Sequence, residues 1–346
     1  MSAASLAKFG DGTKNMSVEN TRRETGDVPE KFTRPLKLIA LFGGSNEISK
    51  SAASFISDHQ PDVSLRLLVR REDAREELQR LFPDADVQIA DYFHKDALKA
   101  GLSGVDAAFV ITPDFFDETA AMTNVAEAAK AADVQHIVRL TGDPPGMTLD
   151  RVPDFIKRGG NVPSIQHLYA RAVLEGSGLQ VTFLNSAAFF MQTMATPLFA
   201  YPVRKDRVLV MPHDRKMAFN DKVDIGECAG VLLLSNDRRH VGATYHLNNG
   251  HDLLSFREFA ELLSDVLGEK VTFHDDEERF LAYNSQPLAE FLKIPDAGDL
   301  ILEMIKFEKA NEHAWRRSDT VQYLLGRPAK KLRNWLEENV EKFERI

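Results

Sequence analysis

The stretch from Leu36 to Ser49, LKLIALFGGSNEIS, decides the fold class. Residues 36–42 are an apolar run of strand length that stops at Gly43-Gly44-Ser45-Asn46, a turn signal. Beyond the turn, Ile48, Ala52, Phe55 and Ile56 recur at offsets of zero, four, seven and eight, which places them on one face of a helix. The alternation continues outward from this strand, turn and helix. Strands are predicted over 65–70, 86–90, 105–111 and 136–140. Helices are predicted over 72–81, near Ala97, and over 118–132 with Met122, Val125 and Ala129 inward. Strands and helices alternating at this pitch imply an α/β protein with a doubly wound parallel sheet covered on both faces.

After Gly142 the pattern loosens. Asp143-Pro144-Pro145-Gly146 reads as a turn, 147–160 as an irregular loop, 162–176 as a helix and 180–184 as a strand. Residues 186–221, rich in Phe, Met and Pro, keep no steady period, and long loops inside compact domains tend to serve function. Ser255 and Glu258 spell a capping box that opens a helix to Leu267, stopped by Gly268. Two last helices are predicted over 299–312 and 329–346, the latter with Leu332, Trp335, Leu336, Val340 and Phe343 in one stripe.

Composition removes several classes of function. Hydrophobic residues at 43% and charged residues at 27% are ordinary for a globular protein and exclude a largely disordered or low-complexity chain. With 43 Lys and Arg against 52 Asp and Glu, the net charge of -9 opposes a broad phosphate-binding surface, so no nucleic-acid partner is expected. Cys228 is the single cysteine and forms no internal disulfide, and the histidines lack metal-ligand spacing, so no metal is expected. No apolar run approaches the roughly 20 residues of a membrane span. Residues 1–35 are polar and carry Asp11, Glu19, Glu24, Asp27 and Glu30, which argues against a secretory signal or transit peptide. They read as a flexible tail on a cytoplasmic protein, with docking to a protein partner as the lesser reading.

In a doubly wound sheet the ligand crevice lies at the carboxyl ends of the strands, and the first strand-to-helix turn holds phosphates. A dinucleotide turn wants three glycines, for the bend, for approach of the pyrophosphate and for helix packing. Here the series is Gly43, Asn46 and Ser49, and only the first survives. Asn tolerates a left-handed backbone, so the bend remains allowed. Gly43, Ser45, Asn46, Glu47 and Ile48 are the candidate phosphate contacts; the alternative is an ordinary polar turn. Arg70 or Arg71, at the end of the second strand, complements a 2'-phosphate and points to NADP over NAD. Alternatively both open a solvated helix and pair with Glu72, Asp73 or Glu76. Asp91 is placed to approach the adenine amine, and Thr112-Pro113 the inner ribose; the alternative for each is a routine polar group at a strand end.

The order of these pieces resembles the NmrA-like family of atypical short-chain dehydrogenases. The likeness is carried by Gly43-Gly-Ser-Asn-Glu-Ile-Ser49, the Leu-Val-Arg70 strand end, Ala90-Asp91-Tyr92, Val110-Ile-Thr-Pro113 and Val138-Arg-Leu-Thr141. His167-x-x-x-Arg171-x-x-x-Glu175, Gly178-Leu-Gln-Val-Thr182, Phe189-Phe-Met191 and Lys222-Val-Asp-Ile225 continue it. The resemblance implies a Rossmann domain that binds NADP(H), over 36–185, and a smaller substrate-binding part, over 186–346, whose strands can interleave with the main sheet. It also implies either a reductase of small organic substrates or a protein that binds the cofactor without turnover.

Many relatives carry Tyr-x-x-x-Lys on one helix face to stabilise and protonate the charge that hydride transfer leaves. At the matching positions stand His167, a proton donor near neutral pH, and Arg171, a partner for a ribose hydroxyl or an oxyanion; the alternative is a solvated stripe with an Arg171–Glu175 pair. Thr141 matches the serine of the tyrosine mechanism and either bonds a substrate oxygen or caps a turn. Tyr201-x-x-x-Lys205 repeats the spelling in the irregular segment, where it reads as coincidence. Phe115, Phe116, Phe189, Phe190, Met191, Phe199 and Tyr201 gather apolar side chains around the expected crevice; Phe115, Phe189, Phe190 and Met191 are the candidate substrate contacts for a small hydrophobic carbonyl, imine or enone, and the alternative is that this set seals the two parts of the fold together as core. The alternative functions are a non-catalytic NADP(H) sensor that binds a protein partner, and a non-redox enzyme on the same fold.

Overall fold

The computed structural model describes residues 31–346 except 33, 145, 155–156, 158–162 and 312–315, so the expectations for 1–30 and part of 147–160 lie outside the described residues. Seven parallel strands form the main sheet, in the order β10-β6-β5-β4-β1-β2-β3. They are β1 (Leu38–Phe42), β2 (Ser64–Val69), β3 (Asp86–Ile89), β4 (Ala107–Val110), β5 (His136–Thr141), β6 (Val181–Asn185) and β10 (Thr244–His246). The fold is the α/β Rossmann-like one that the alternation implies. β1 has apolar residues throughout because it faces helices on both sides. Ile39 and Leu41 enter one buried cluster with Ile48, Ala52 and Ile225, while Ala40 and Phe42 enter another with Leu98, Met122 and Ala170.

One layer holds α1 (Glu47–His59), α2 (Glu72–Leu81) and α7 (Lys222–Leu234); the other holds α3 (Lys95–Leu102), α4 (Glu118–Ala131) and α5 (Pro163–Gly176). Helix α7 shows no apolar stripe in sequence because it is buried on most sides, and its small residues let α1 come close. A Cβ on Gly226 would lie 2.3 Å from the Ile48 carbonyl oxygen and 2.6 Å from Ser51 Cβ; one on Gly230 would lie 2.6 Å from the Phe55 ring. The two helices therefore run in the same direction, and Ser51 Oγ donates to the Val223 carbonyl at 2.8 Å. This brings the start of α7 beside the start of α1, at the carboxyl ends of the strands.

Residues 186–221 are more regular than their sequence pattern. They contain β7 (Phe189–Phe190), a short 3-10 turn, α6 (Pro197–Asp206), β8 (Val208–Val210) and β9 (Lys216–Asn220). β7, β9 and β11 (Leu253–Ser255) make a second sheet, and β8 pairs with β12 (Thr272–His274). Around them pack α8 (Phe256–Leu267), whose capping box is formed by Ser255 and Glu258, α9 (Glu277–Leu292), α10 (Ala297–Asn311) and α12 (Leu332–Glu338), whereas α11 (Thr320–Leu325) packs on α7. α6 and α9 carry internal prolines, Pro202 and Pro287, which hide them from a pattern reading. The expected last helix breaks at Asn339 into α12 and a 3-10 turn, although Leu332, Trp335, Leu336 and Phe343 are all buried as predicted.

Residues 31–35 are not a free tail. Lys31 bridges Asp237, the Phe32 amide donates to the Asn236 carbonyl at 2.8 Å, and Arg34 pairs with Asp106 and Asp133. The Phe32 ring lies 5.3 Å from that of His136, which is 2% exposed. Thr182 gives its one hydroxyl proton to the His240 carbonyl, so His136 Nε2 donates to Thr182 Oγ1 at 2.8 Å, and the imidazole is neutral.

Two outcomes follow for stability. Gly226→Ala is expected to cost about 2–3 kcal/mol by forcing α7 off α1, while Gly176→Ala, where a Cβ meets open space, costs nothing; urea unfolding measures both. Burial lowers the His136 pKa to about 3, below the ~6.5 of an unfolded chain, so the unfolded state takes up the proton first. Its contribution is complete above pH ~6.5 and is lost as pH falls toward about 3. His136→Gln should flatten the stability profile across that window, and an unchanged slope would assign the acid sensitivity elsewhere.

Candidate active-site cleft at the strand-order reversal

Strand order reverses between β1 and β4, which opens a crevice at their carboxyl ends. Gly43 makes the bend after β1 with φ +61, and a Cβ there would sit 3.0 Å from Ile111 Cγ2. Both the left-handed backbone and the contact with the β4 end require glycine. Asn46 does not take the left-handed conformation. It is extended (φ -74, ψ 144) and caps α1, its side-chain oxygen accepting from the Ile48 amide at 2.9 Å. Ser49 turns inward and donates to the Phe42 carbonyl at 2.8 Å, replacing the packing role of a third glycine with a hydrogen bond. Ser45, Asn46 and Glu47 are exposed, so no side chain of the turn fills the space above it. The turn fits a pyrophosphate, with the Asn46 carboxamide as competitor for one helix amide.

At the end of β2, Arg71 pairs with Asp73 at 3.1 Å and Arg75 with Glu72, the solvated-helix arrangement. Arg70 is exposed and has no carboxylate within 4 Å among the described residues; its guanidinium lies 5.8 Å from the Phe116 ring centre. Phe93 and Phe116 continue this surface, their rings 5.1 Å apart. Asp91 is half-buried and uses one oxygen to accept from the Phe93 amide at 2.8 Å. Thr112 is half-buried too, but its hydroxyl donates to Glu118 and accepts from Arg139 at 2.9 Å. That commitment takes it away from a ribose.

Glu118 and Arg139 form the centre that sequence reasoning missed. Arg139 is 0% exposed and Glu118 1%. Arg139 pairs with Glu118 and donates to the Val110 carbonyl at 3.1 Å, while the Glu118 amide donates to Gln166 Oε1 at 3.0 Å. Burial, the largest influence on Glu118, raises its pKa; Arg139, His167 and the Thr112 hydrogen bond together outweigh it and hold the carboxyl below its ordinary value. In sequence Glu118 is an acid in the first turn of a helix, and Arg139 a polar residue in an apolar strand. Every residue of β5 is buried, so the strand shows no alternation that would set Arg139 apart.

His167 stands over this pair, its Nδ1 4.0 Å from Glu118 Oε1 and without a hydrogen-bond partner. Its side chain is 15% exposed, and burial lowers its pKa, with Glu118 acting in the opposite sense and Arg139 adding to the lowering. His167 is therefore a neutral imidazole near pH 7, not a charged proton donor. Asp114 is accessible within the cleft but walled by protein; burial raises its pKa, and the charges of His167 and Lys222 oppose that rise. Thr141 Oγ1 is 2% exposed and unpartnered.

Arg171 does not reach the cleft with a free charge. It pairs with Asp143 at 2.6 Å and Glu175 at 3.6 Å, donates to Thr244 Oγ1 at 3.1 Å and lies 4.0 Å over the Phe183 ring. Met191 is 0% exposed inside the C-terminal core, and Phe189 is half-buried, packed edge-to-face with Phe199 and Phe256. Phe190 is half-buried beside Lys222, with 5.6 Å from the ammonium to the ring centre. Phe115 is half-buried in a left-handed conformation (φ 57) that turns the chain after Asp114. Tyr201 and Lys205 share an exposed face of α6, stacked on each other at 5.5 Å, apart from these groups.

The NmrA-like family model matches residues 35–283. The chain belongs to the NmrA-like family. Over 310 residues it is 28% identical to a (4-alkanoyl-5-oxo-2,5-dihydrofuran-3-yl)methyl phosphate reductase of Streptomyces griseus, covering 88% of this chain and 99% of that protein. It shares its fold with a Citrobacter triphenylmethane reductase solved with NADP(H), at 18% identity and a TM-score of 0.70, over 88% of this chain and 99% of that one. It likewise shares it with NmrA, a negative transcriptional regulator, at 16% identity and a TM-score of 0.65, over 89% and 97%.

The buried pair has a measurable signature. Arg139→Met alone is expected to destabilise the NmrA-like chain by about 3–5 kcal/mol, because it leaves the Glu118 carboxylate buried and uncompensated. The double variant Arg139→Met with Glu118→Leu should recover most of that loss in a denaturation cycle; additive losses would mean the two charges are not coupled.

Proposed function

We propose that this protein is an NADP(H)-dependent reductase of a small hydrophobic acceptor with a conjugated carbonyl, imine or enone group. The observation that carries the reading is the open turn at Gly43, with Ser49 folded inward, facing a cleft that holds a neutral imidazole. Membership of a family with reductases among its relatives supports it. When bound, the reduced nicotinamide would supply a hydride to the electrophilic carbon of the acceptor. The chain's own residues bind and polarise. The amides after Gly43 hold the pyrophosphate once the Asn46 carboxamide yields the Ile48 amide, Arg70 meets the 2'-phosphate and Asp91 approaches the adenine amine.

His167 takes the place of the family tyrosine in a different manner. As a neutral imidazole it donates a hydrogen bond to the oxygen on which charge gathers, without being an imidazolium at rest. Nδ1 lies 4.0 Å from Glu118 with no hydrogen bond, so the donated proton sits on Nε2, and water delivers the final proton. Arg171 serves the fold in this reading, by joining α5 to Asp143 and β10.

A second reading follows from the replacement of Tyr-x-x-x-Lys by His167 and a committed Arg171: a cofactor sensor that binds NADP(H) without turnover and selects a protein partner. Calorimetric titration with NADP, NADPH, NAD and NADH, then NADPH oxidation with menadione as acceptor, separates the readings. The reductase binds NADPH and turns over; the sensor binds only; absence of binding by all four defeats both. Arg70→Ala is expected to weaken NADPH about tenfold or more while sparing NADH, and equal losses would remove the 2'-phosphate assignment. Asn46→Gly should tighten the dinucleotide several-fold at a cost of only a few tenths of a kcal/mol in helix capping.

A further inference from the structure

Lys222 is a half-buried cation that nothing in the cofactor reading uses. It opens α7, which the close packing on α1 delivers to the mouth of the cleft. Lys50, Lys306 and Lys330, each also half-buried, all rest on carboxylates: Glu77, Glu277 with Glu303, and Glu338. Lys222 has no carboxylate within 4 Å among the described residues. Its ammonium lies 5.6 Å from the Phe190 ring centre, and its charge, like that of His167, acts on Asp114. Asp221, the neighbour that might have neutralised it, is 2% exposed and engaged by Gln192 Nε2 at 2.7 Å, the Val223 amide and Lys330.

We propose that Lys222, with Phe190 as its aromatic backing, is an anchor for an anionic substituent of the acceptor, so that the substrate is an apolar conjugated molecule carrying a phosphate, sulfonate or carboxylate. A partly desolvated ammonium against an aromatic face is stabilised by the ring but keeps its donors unsatisfied on the open side. An acidic oxygen there forms charge-assisted hydrogen bonds that a neutral acceptor cannot supply. The start of α7 lies beside the start of α1, so the anion that Lys222 takes is separated from the cofactor's pyrophosphate by the comparison of NADP and sulfonate affinities below. This deepens the reductase reading and rests on it.

The test compares menadione with a naphthoquinone sulfonate by calorimetric titration of the full chain, with and without saturating NADP. Wild type is expected to prefer the sulfonate about tenfold or more, and Lys222→Gln to lower that ratio about tenfold, with Lys222→Arg restoring it. Inorganic phosphate should compete with the sulfonate in wild type and not in Lys222→Gln. A ratio unchanged by Lys222→Gln overturns the proposal. So does a loss of NADP affinity in that variant equal to the loss of sulfonate affinity, which would give the ammonium to the cofactor. If no dinucleotide binds, the reductase reading fails, while the sulfonate preference of the free protein still decides the role of Lys222.

Discussion

The cleft depends on one buried ion pair. Glu118 starts α4, Arg139 lies in the middle of the sheet, and their contact draws the end of β4, through Thr112 and the Val110 carbonyl, into the same network. Gln166 brings in the start of α5. Two charges at 0% and 1% exposure carry a desolvation cost of several kcal/mol each. Only multiple hydrogen bonds offset it, so the carboxylate has little freedom to move without leaving a charge unmet. The imidazole of His167 stands above this fixed pair with no hydrogen bond of its own at Nδ1.

The same pair explains why the helix face that aligns with the family's Tyr-x-x-x-Lys behaves differently here. Arginine has five donors in a rigid fork and cannot give up a proton, so a residue of that kind at 171 finds a permanent partner. It finds Asp143, Thr244 and the face of Phe183, and through them ties β10 to the body of the Rossmann sheet. His167 is left without a lysine beside it to tune its protonation. Burial and Arg139 both favour its neutral form, and the chemistry open to it is hydrogen-bond donation.

Most of the Rossmann half was legible from hydropathy because each strand is flanked by helices and each helix has one buried face. α2 has the predicted bounds, and the strands differ by a residue or two at their ends. What was not legible has two physical causes, burial on more than one side, which erases periodicity, and prolines inside helices. α7 packs on α1, on the sheet and on α11, so its apolar residues have no preferred direction, and its glycines look like breaks when they are contact points. α6 and α9 tolerate Pro202 and Pro287 because tertiary packing offsets the lost hydrogen bond. In the cleft, the turn that Gly43, Ser45 and Asn46 spell forms where it was expected, whereas Glu118 and Arg139 look like surface charges until the fold closes over them.

The degenerate glycine turn is consistent with this economy of space. A third glycine lets a helix approach a strand; here Ser49 makes the same approach by donating into the strand's last carbonyl, a group that otherwise needs a partner. Asn46, in turn, satisfies an amide at the start of α1 in the absence of ligand. That amide is one of those a phosphate would claim, so a bound anion must displace an internal hydrogen bond worth about 1 kcal/mol. The turn is thereby more stable when empty and weaker when filled than an all-glycine loop. Affinity for a dinucleotide must then draw on groups beyond the turn, such as Arg70, which has no carboxylate within 4 Å among the described residues.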